Sequence, residues 1–158
     1  MVDAHATMPS VLVLHGPNLN LLGEREPEIY GSTTLAALDA QLGELAAELS
    51  LRLRSAQANA EGSLIDLLHE SRNIDQGVIF NPGGYTHTSV ALHDAIRAIR
   101  IPVVEVHLSN LYKREGFRQR SVTAAACAGV IMGFGPSAYR LALHQMAELL
   151  RQPLQPSS

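Results

Sequence analysis

The sequence has a single cysteine in 158 residues. An internal disulfide is therefore impossible, and no thiolate metal cluster can be built. That residue, Cys127, lies in AAACAGVIMGF and reads as a small buried hydrophobe. Lysine is equally scarce. Lys113 is the only one, so Schiff-base chemistry would have to use it. It sits in YKREGFR beside Arg114, Glu115 and Arg118, which reads as a solvated charge run. Net positive charge is also missing. The formal charge is −3 with His neutral, which gives no electrostatic reason to expect nucleic acid or an anionic membrane as partner. No apolar run is long enough to span a bilayer. MVDAHATMPS lacks the basic region and apolar core of a secretory signal. The expectation is a cytoplasmic protein.

Cofactor signatures are missing too. A dinucleotide fold wants G-x-G-x-x-G after its first strand, and here the segment is HGPNLNLLG. No Walker A sequence and no H-E-x-x-H occurs. His87 and His93 are six apart and do not share a helix face. A metal site from His15, His87 and His107 stays open as a weaker alternative. Ser109 follows His107 too closely to be the exposed serine of a nucleophile elbow.

What is present is alternation. Apolar runs at 10–16, 76–82, 101–110 and 128–135, and an alternating run at 51–59, read as strands. Segments 33–50, 61–73, 87–100 and 137–152 carry helical spacing. This order implies an α/β fold, a five-stranded parallel sheet of flavodoxin type with helices on both faces. A single domain is expected over 10–151, between tails at 1–9 and 152–158.

In open parallel sheets, ligands bind beyond the carboxyl ends of the strands. Those ends carry His15-Gly16-Pro17-Asn18, Asn59-Ala60-Glu61, Asn81-Pro82-Gly83-Gly84, His107-Leu108-Ser109-Asn110 and Gly133-Phe134-Gly135. The polar segment GPNLNLLGEREPEIYG, read as a loop, leaves from the same edge and can act as a lid. Non-covalent acid–base chemistry on a small polar molecule fits these residues. His107 is a plausible acid. Tyr30 can be a base only if its pKa falls from about 10, and Arg25, five residues before it, would favour the phenolate. Arg114 and Arg118, with the backbone N–H groups of Leu108 and Ser109, suit a carboxylate or oxyanion.

In this order the stretches LHGPNLNLLGEREPEIYG, QANAEGSLIDLLHE, IFNPGGYTHTSVALHDAI, VEVHLSNLYKREGFRQRS and AGVIMGFG resemble the type II 3-dehydroquinate dehydratase family, from about Val11 to Leu150. The resemblance implies a flavodoxin-like fold and a homo-dodecamer built from trimers. It implies loss of water from 3-dehydroquinate to give 3-dehydroshikimate, as a hydro-lyase with no metal, no other cofactor and no Schiff base. By position, Tyr30 would be the base and Arg25 would keep it a phenolate. Asn18 would stabilise an enolate through a water. His107 would protonate the leaving hydroxyl. Glu105, two residues earlier on the strand with the same facing, could orient the imidazole. Asn81, His87 and Arg118 would hold substrate hydroxyls, and the Leu108 and Ser109 backbone the carboxylate. Asp94, expected on one helical face with His87, would reach a neighbouring subunit's site. Arg114 would belong to the lid with Arg25 and Tyr30.

The sequence departs from the family's usual pattern at Ala58, Ser63, Gly84, Gly116 and Ala138, and none of these removes a catalytic group. Gly84 and Gly116 would loosen their loops. Competing readings remain. The polar edge could serve a non-catalytic binding module. Asp94 could simply pair with Arg97 one turn on. His5, His69, His93 and His144 read as structural or surface residues. The same reaction serves aromatic biosynthesis through the shikimate pathway or quinate breakdown.

Overall fold

A computed structural model describes residues 7–151, apart from the side chain of Tyr30. The chain runs β1 (Ser10–His15), α1 (Pro27–Tyr30), α2 (Leu35–Glu48), β2 (Arg52–Gln57), α3 (Glu61–Ile74), β3 (Gly77–Asn81), α4 (Val90–Ile99), β4 (Val103–His107), β5 (Gly129–Met132) and α5 (Ser137–Arg151). Every strand pairing is parallel, in the order β2-β1-β3-β4-β5. This is the flavodoxin-like order, with its switch point between β1 and β3.

The central strands β1, β3 and β4 are buried along their whole length. Their continuous apolar runs conceal a strict alternation. Val11, Val13, Ile79, Val104 and Val106 face one core with Leu38 and Leu42 of α2 and Leu143 and Met146 of α5. Leu12, Leu14, Val78, Phe80 and Val103 face the other with Leu64 and Leu68 of α3 and Leu92 and Ile96 of α4. Successive side chains of a strand point to opposite faces, so each strand feeds both cores. The outer strands are only partly covered, which explains the arginines of β2.

Several elements are shorter than their sequence patterns. The helix expected from His87 begins at Val90, because the Ser89 hydroxyl accepts from the Leu92 N–H at 2.9 Å and caps it. Residues 83–87 form a 3₁₀ turn instead, so His87 is not on the helix of Asp94. That helix closes with Arg100 in the left-handed region at φ 58°. The strand expected to reach Asn110 stops at His107, because the Asn110 side chain accepts from the Tyr112 N–H at 3.1 Å and starts a turn. Gly133, at φ 96°, bends the chain out of β5. The loop expected at 16–31 is not wholly irregular. It holds a 3₁₀ turn at Leu19–Leu21 and the single-turn α1. Pro9, assigned above to the tail, already accepts from Arg52 at 2.8 Å. Residues 1–6, with His5, and 152–158 lie outside the described residues.

Gly16 fixes how β1 and β3 end together. A Cβ there would stand 2.7 Å from the carbonyl oxygen of Asn81, and the Gly16 N–H donates to that same oxygen at 2.8 Å. At the opposite edge of the sheet, the carboxylate of Asp75 is fully buried. It accepts from Ser10 Oγ at 2.7 Å and from Arg54 Nε and Nη2 at 3.1 and 2.7 Å. The fork of Arg54 thus joins β2 to the α3–β3 turn. Arg54→Met should destabilise the fold by about 3 kcal/mol, because it leaves a buried carboxylate without its counter-charge. Urea unfolding at neutral pH checks this, and a loss below about 0.5 kcal/mol, as for an exposed ion pair, would refute it.

Candidate active site

The carboxyl ends of the strands open on a cavity. Asn81 and His107 project from β3 and β4, and Leu108 and Ser109 continue from β4. Asn18 and Arg25 come from the segment after β1. His87 comes from the 83–87 turn, and Arg114 and Arg118 from the loop after β4. Two of the candidate groups are elsewhere. Glu105 lies behind His107 with no exposure. Asp94 sits on α4 with its side chain 72% exposed, and it does not line the cavity. Its carboxylate meets His93 of the same helix at 3.2 Å, and not Arg97. The side chain of Tyr30 lies outside the described residues; its backbone ends α1, on the same segment as Arg25.

Val103, Glu105 and His107 alternate onto one face of β4. The Glu105 carboxylate accepts from His107 Nε2 at 2.9 Å. It also accepts from Thr86 Oγ1 and Ser121 Oγ, each at 3.0 Å, and from Thr123 Oγ1. Burial pushes this carboxyl up. The hydrogen bond and charge of His107 and the hydroxyls of Thr123 and Thr86 outweigh it, so the net effect holds Glu105 below its ordinary value. The three hydroxyl residues carry no role in the sequence reading. The signal for them was indirect: a carboxylate in the middle of a buried strand needs several donors. YTHT and RSVT are where hydroxyls occur at the right end of the sheet.

The rim is cationic. Arg118 donates from Nε to Glu115 at 2.9 Å and stacks on Phe117, with its guanidinium carbon 4.9 Å from the ring centroid. Arg114 reaches Ser109 Oγ at 3.5 Å, and Arg25 lies 3.7 Å from Glu26. These guanidinium groups suit an anionic ligand. His87 Nδ1 donates to the carbonyl of Arg120 at 2.8 Å, which turns Nε2 into the nitrogen available to a ligand. Asn18 sits in the left-handed region at φ 69°, and its N–H donates to Asn59 Oδ1 at 3.0 Å. Gln57 donates to the same Asn59 oxygen at 3.0 Å and to the Gly16 carbonyl at 3.2 Å. Gln57 and Asn59, to which the sequence reading gave no function, brace the start of the segment.

His15 departs from its alternative assignment. It is fully buried, with Nε2 2.8 Å from Asp39 and Nδ1 3.1 Å from Tyr139 Oη, and it does not line the cavity. The trio of His15, His87 and His107 therefore does not gather. Among the described residues, no three His, Cys, Asp or Glu side chains are grouped to hold a metal ion. Cys127 is half-buried, not fully buried as its apolar setting suggested. Burial and the charge of Glu105 push its thiol up to about 12. Lys113 is exposed on the outer side of the rim. No helix among the described residues is long and apolar enough to cross a membrane.

The dehydroquinase class II model matches residues 9–147. The chain belongs to the class II dehydroquinase family. The 3-dehydroquinate dehydratase of Gloeothece citriformis is 54% identical over 143 residues, covering 90% of this chain and 94% of the relative. The 3-dehydroquinate dehydratase of Bacillus cereus is 50% identical over 145 residues, covering 92% and 99%. Among solved structures, the type II dehydroquinase of Propionibacterium acnes superposes with a TM-score of 0.86 at 40% identity, over 89% of this chain and 97% of that one. That of Butyrivibrio crossotus gives 0.85 at 39%, with the same coverage. Two departures from the usual dehydroquinase pattern cost no space. A Cβ at Gly84 or Gly116 would meet nothing within 4 Å, so neither glycine is forced by packing.

The depressed carboxyl of Glu105 sets a pH dependence. Its contribution to stability is complete above the ordinary value of 4.5 and is lost as the pH falls through the lower folded value. Glu105→Gln should cost about 2 kcal/mol at neutral pH. The gap from wild type should close as the pH falls below 4.5. Urea titrations across that range check it, and a gap that stays constant in acid would contradict it.

Proposed function

We propose that this dehydroquinase removes water from 3-dehydroquinate to give 3-dehydroshikimate, by anti elimination through an enolate. The observation that carries the reading is a histidine held by a buried carboxylate at one wall of a cavity whose rim bears three arginines. Family membership supplies the substrate. Tyr30 takes the proton from the carbon beside the ketone. Its ordinary pKa of about 10 must fall for this, and the positive charge of Arg25 lowers it. The enolate forms, and Asn18 stabilises it through a water. His107 protonates the departing hydroxyl. Its Nε2 is engaged with Glu105, so the transferred proton leaves from Nδ1.

Asn81, His87 and Arg118 hold the substrate hydroxyls, and the backbone of Leu108 and Ser109 takes the carboxylate. Arg25, Tyr30 and Arg114 form the lid. In this reading the active form is a homo-dodecamer of four trimers. The exposed Asp94 then serves the site of a neighbouring subunit, which makes assembly part of catalysis. The enzyme works in the cytoplasm, in the shikimate pathway or in quinate breakdown. The chemistry requires neither a metal nor an imine.

Purified protein, treated with chelator, should convert 3-dehydroquinate to a product with the ultraviolet absorbance of a conjugated enone. Borohydride should not inhibit it. Tyr30→Phe and His107→Gln should each lower kcat by at least about 100-fold with the fold intact. Binding of 3-dehydroquinate without turnover by wild type would instead favour a binding module. Full activity of Tyr30→Phe would sink the tyrosine as base.

A further inference from the structure

The other face of the sheet carries a second buried polar chain, and its direction is fixed at both ends. At the cavity end, the Gly83 backbone N–H stands 3.0 Å from Asn81 Oδ1. A backbone N–H only donates, so the atom it meets is the amide oxygen, and the amide cannot be flipped. The remaining atom is Nδ2, which donates to Tyr139 Oη at 3.0 Å. Tyr139 is fully buried, and its hydroxyl stands 3.1 Å from His15 Nδ1, which is the acceptor when the imidazole is neutral. Burial holds this phenol well above its ordinary value and the Asn81 hydrogen bond offsets that only in part, so it keeps its proton. His15 Nε2 then carries the imidazole proton and donates it to Asp39 at 2.8 Å. A carboxylate only accepts. For a neutral imidazole, reading from Asp39 toward Gly83, or back, gives the same assignment at every link.

We propose that Asp39, His15, Tyr139 and the Gly83 N–H form a polarity clamp that holds Asn81 as a hydrogen-bond donor to the bound ligand. Asn81 is 4% exposed and lines the cavity. One Nδ2 hydrogen goes to Tyr139, and among the described residues the other has no partner. The ligand group opposite Asn81 must therefore present an oxygen lone pair. A hydroxyl there accepts from Asn81 and turns its own proton elsewhere. An ammonium at the same place is rejected, since donor would face donor. Asp39, His15 and Tyr139 touch no ligand and are positioning residues. For 3-dehydroquinate this rests on the dehydratase reading; the proton assignment itself does not.

Neutron diffraction from deuterated crystals tests the assignment directly. The expected map has deuterium on His15 Nε2 and none on Nδ1, the Tyr139 deuteron aimed at His15, and Asn81 Nδ2 shared between Tyr139 and the cavity. A deuteron on His15 Nδ1 bonded to Tyr139 would overturn the clamp. Kinetics give the second arm. Tyr139→Phe, checked for fold by circular dichroism, should raise KM for 3-dehydroquinate about tenfold, with kcat changed by less than about threefold. An unchanged KM in the folded variant would also overturn it. If that variant does not fold, the neutron map of wild type decides alone. If wild type neither binds nor turns over 3-dehydroquinate, the dehydratase reading fails, and the map still decides the clamp.

Discussion

A carboxylate sealed inside a protein must be surrounded by donors, and Glu105 imposes that condition on everything near it. It occupies the middle of the central strand β4, where the neighbouring positions are valines. Its donors arrive from three directions: Thr86 from the turn after β3, Ser121 and Thr123 from the segment before β5, and His107 from its own strand. Those same hydrogen bonds hold the two loops against the sheet edge. The Val122 N–H donates to the Thr86 carbonyl at 2.6 Å, between the two hydroxyl residues, and adds a backbone link at the same point. Loss of the charge would therefore release the walls of the cavity as well as the imidazole.

The sheet divides the work between its faces. Alternation along β4 sends Glu105 and His107 toward the face covered by α3 and α4. Alternation along β1 and β3 sends His15 and Asn81 toward the face covered by α2 and α5, where Asp39 and Tyr139 meet them. Both sets converge only at the carboxyl ends. That is why the cavity lies there. His107 and Asn81 are thus set from opposite cores.

How much of this was legible depended on whether a feature is local. The strands, the helices and the polar edge follow from hydrophobic period and turn residues, and they appear in the right order. The pairing of Glu105 with His107 was accessible from the two-residue repeat of a strand. Contacts between segments distant in sequence were not. Nothing in SVLVLH says that His15 turns into the core, because its partners Asp39 and Tyr139 lie 24 and 124 residues away. The hydroxyls around Glu105 are hidden for the same reason. Boundaries failed where one side chain decided them. Ser89 delays α4 and Asn110 ends β4, and hydrophobic periodicity does not register a single cap. Asp94 was legible as exposed and acidic, and among the described residues its carboxylate meets His93.

Both polar networks end in groups that can play one role only. Glu105 and Asp39 are acceptors, the Gly83 N–H is a donor, and the Arg120 carbonyl that holds His87 is an acceptor. An amide, or the ring nitrogen of an imidazole, that meets such an end has its role at that contact assigned. That property matters most for the acid–base chemistry proposed above. A hydroxyl or imidazole able to donate or accept at will would offer the substrate a second hydrogen-bonding pattern, and with it a second binding pose. Fixing direction at the buried ends removes that choice before any ligand arrives. The same logic explains why polar residues are tolerated inside two aliphatic cores: each satisfies its neighbour in one sense only, so the cost of burial is offset and the arrangement is unique.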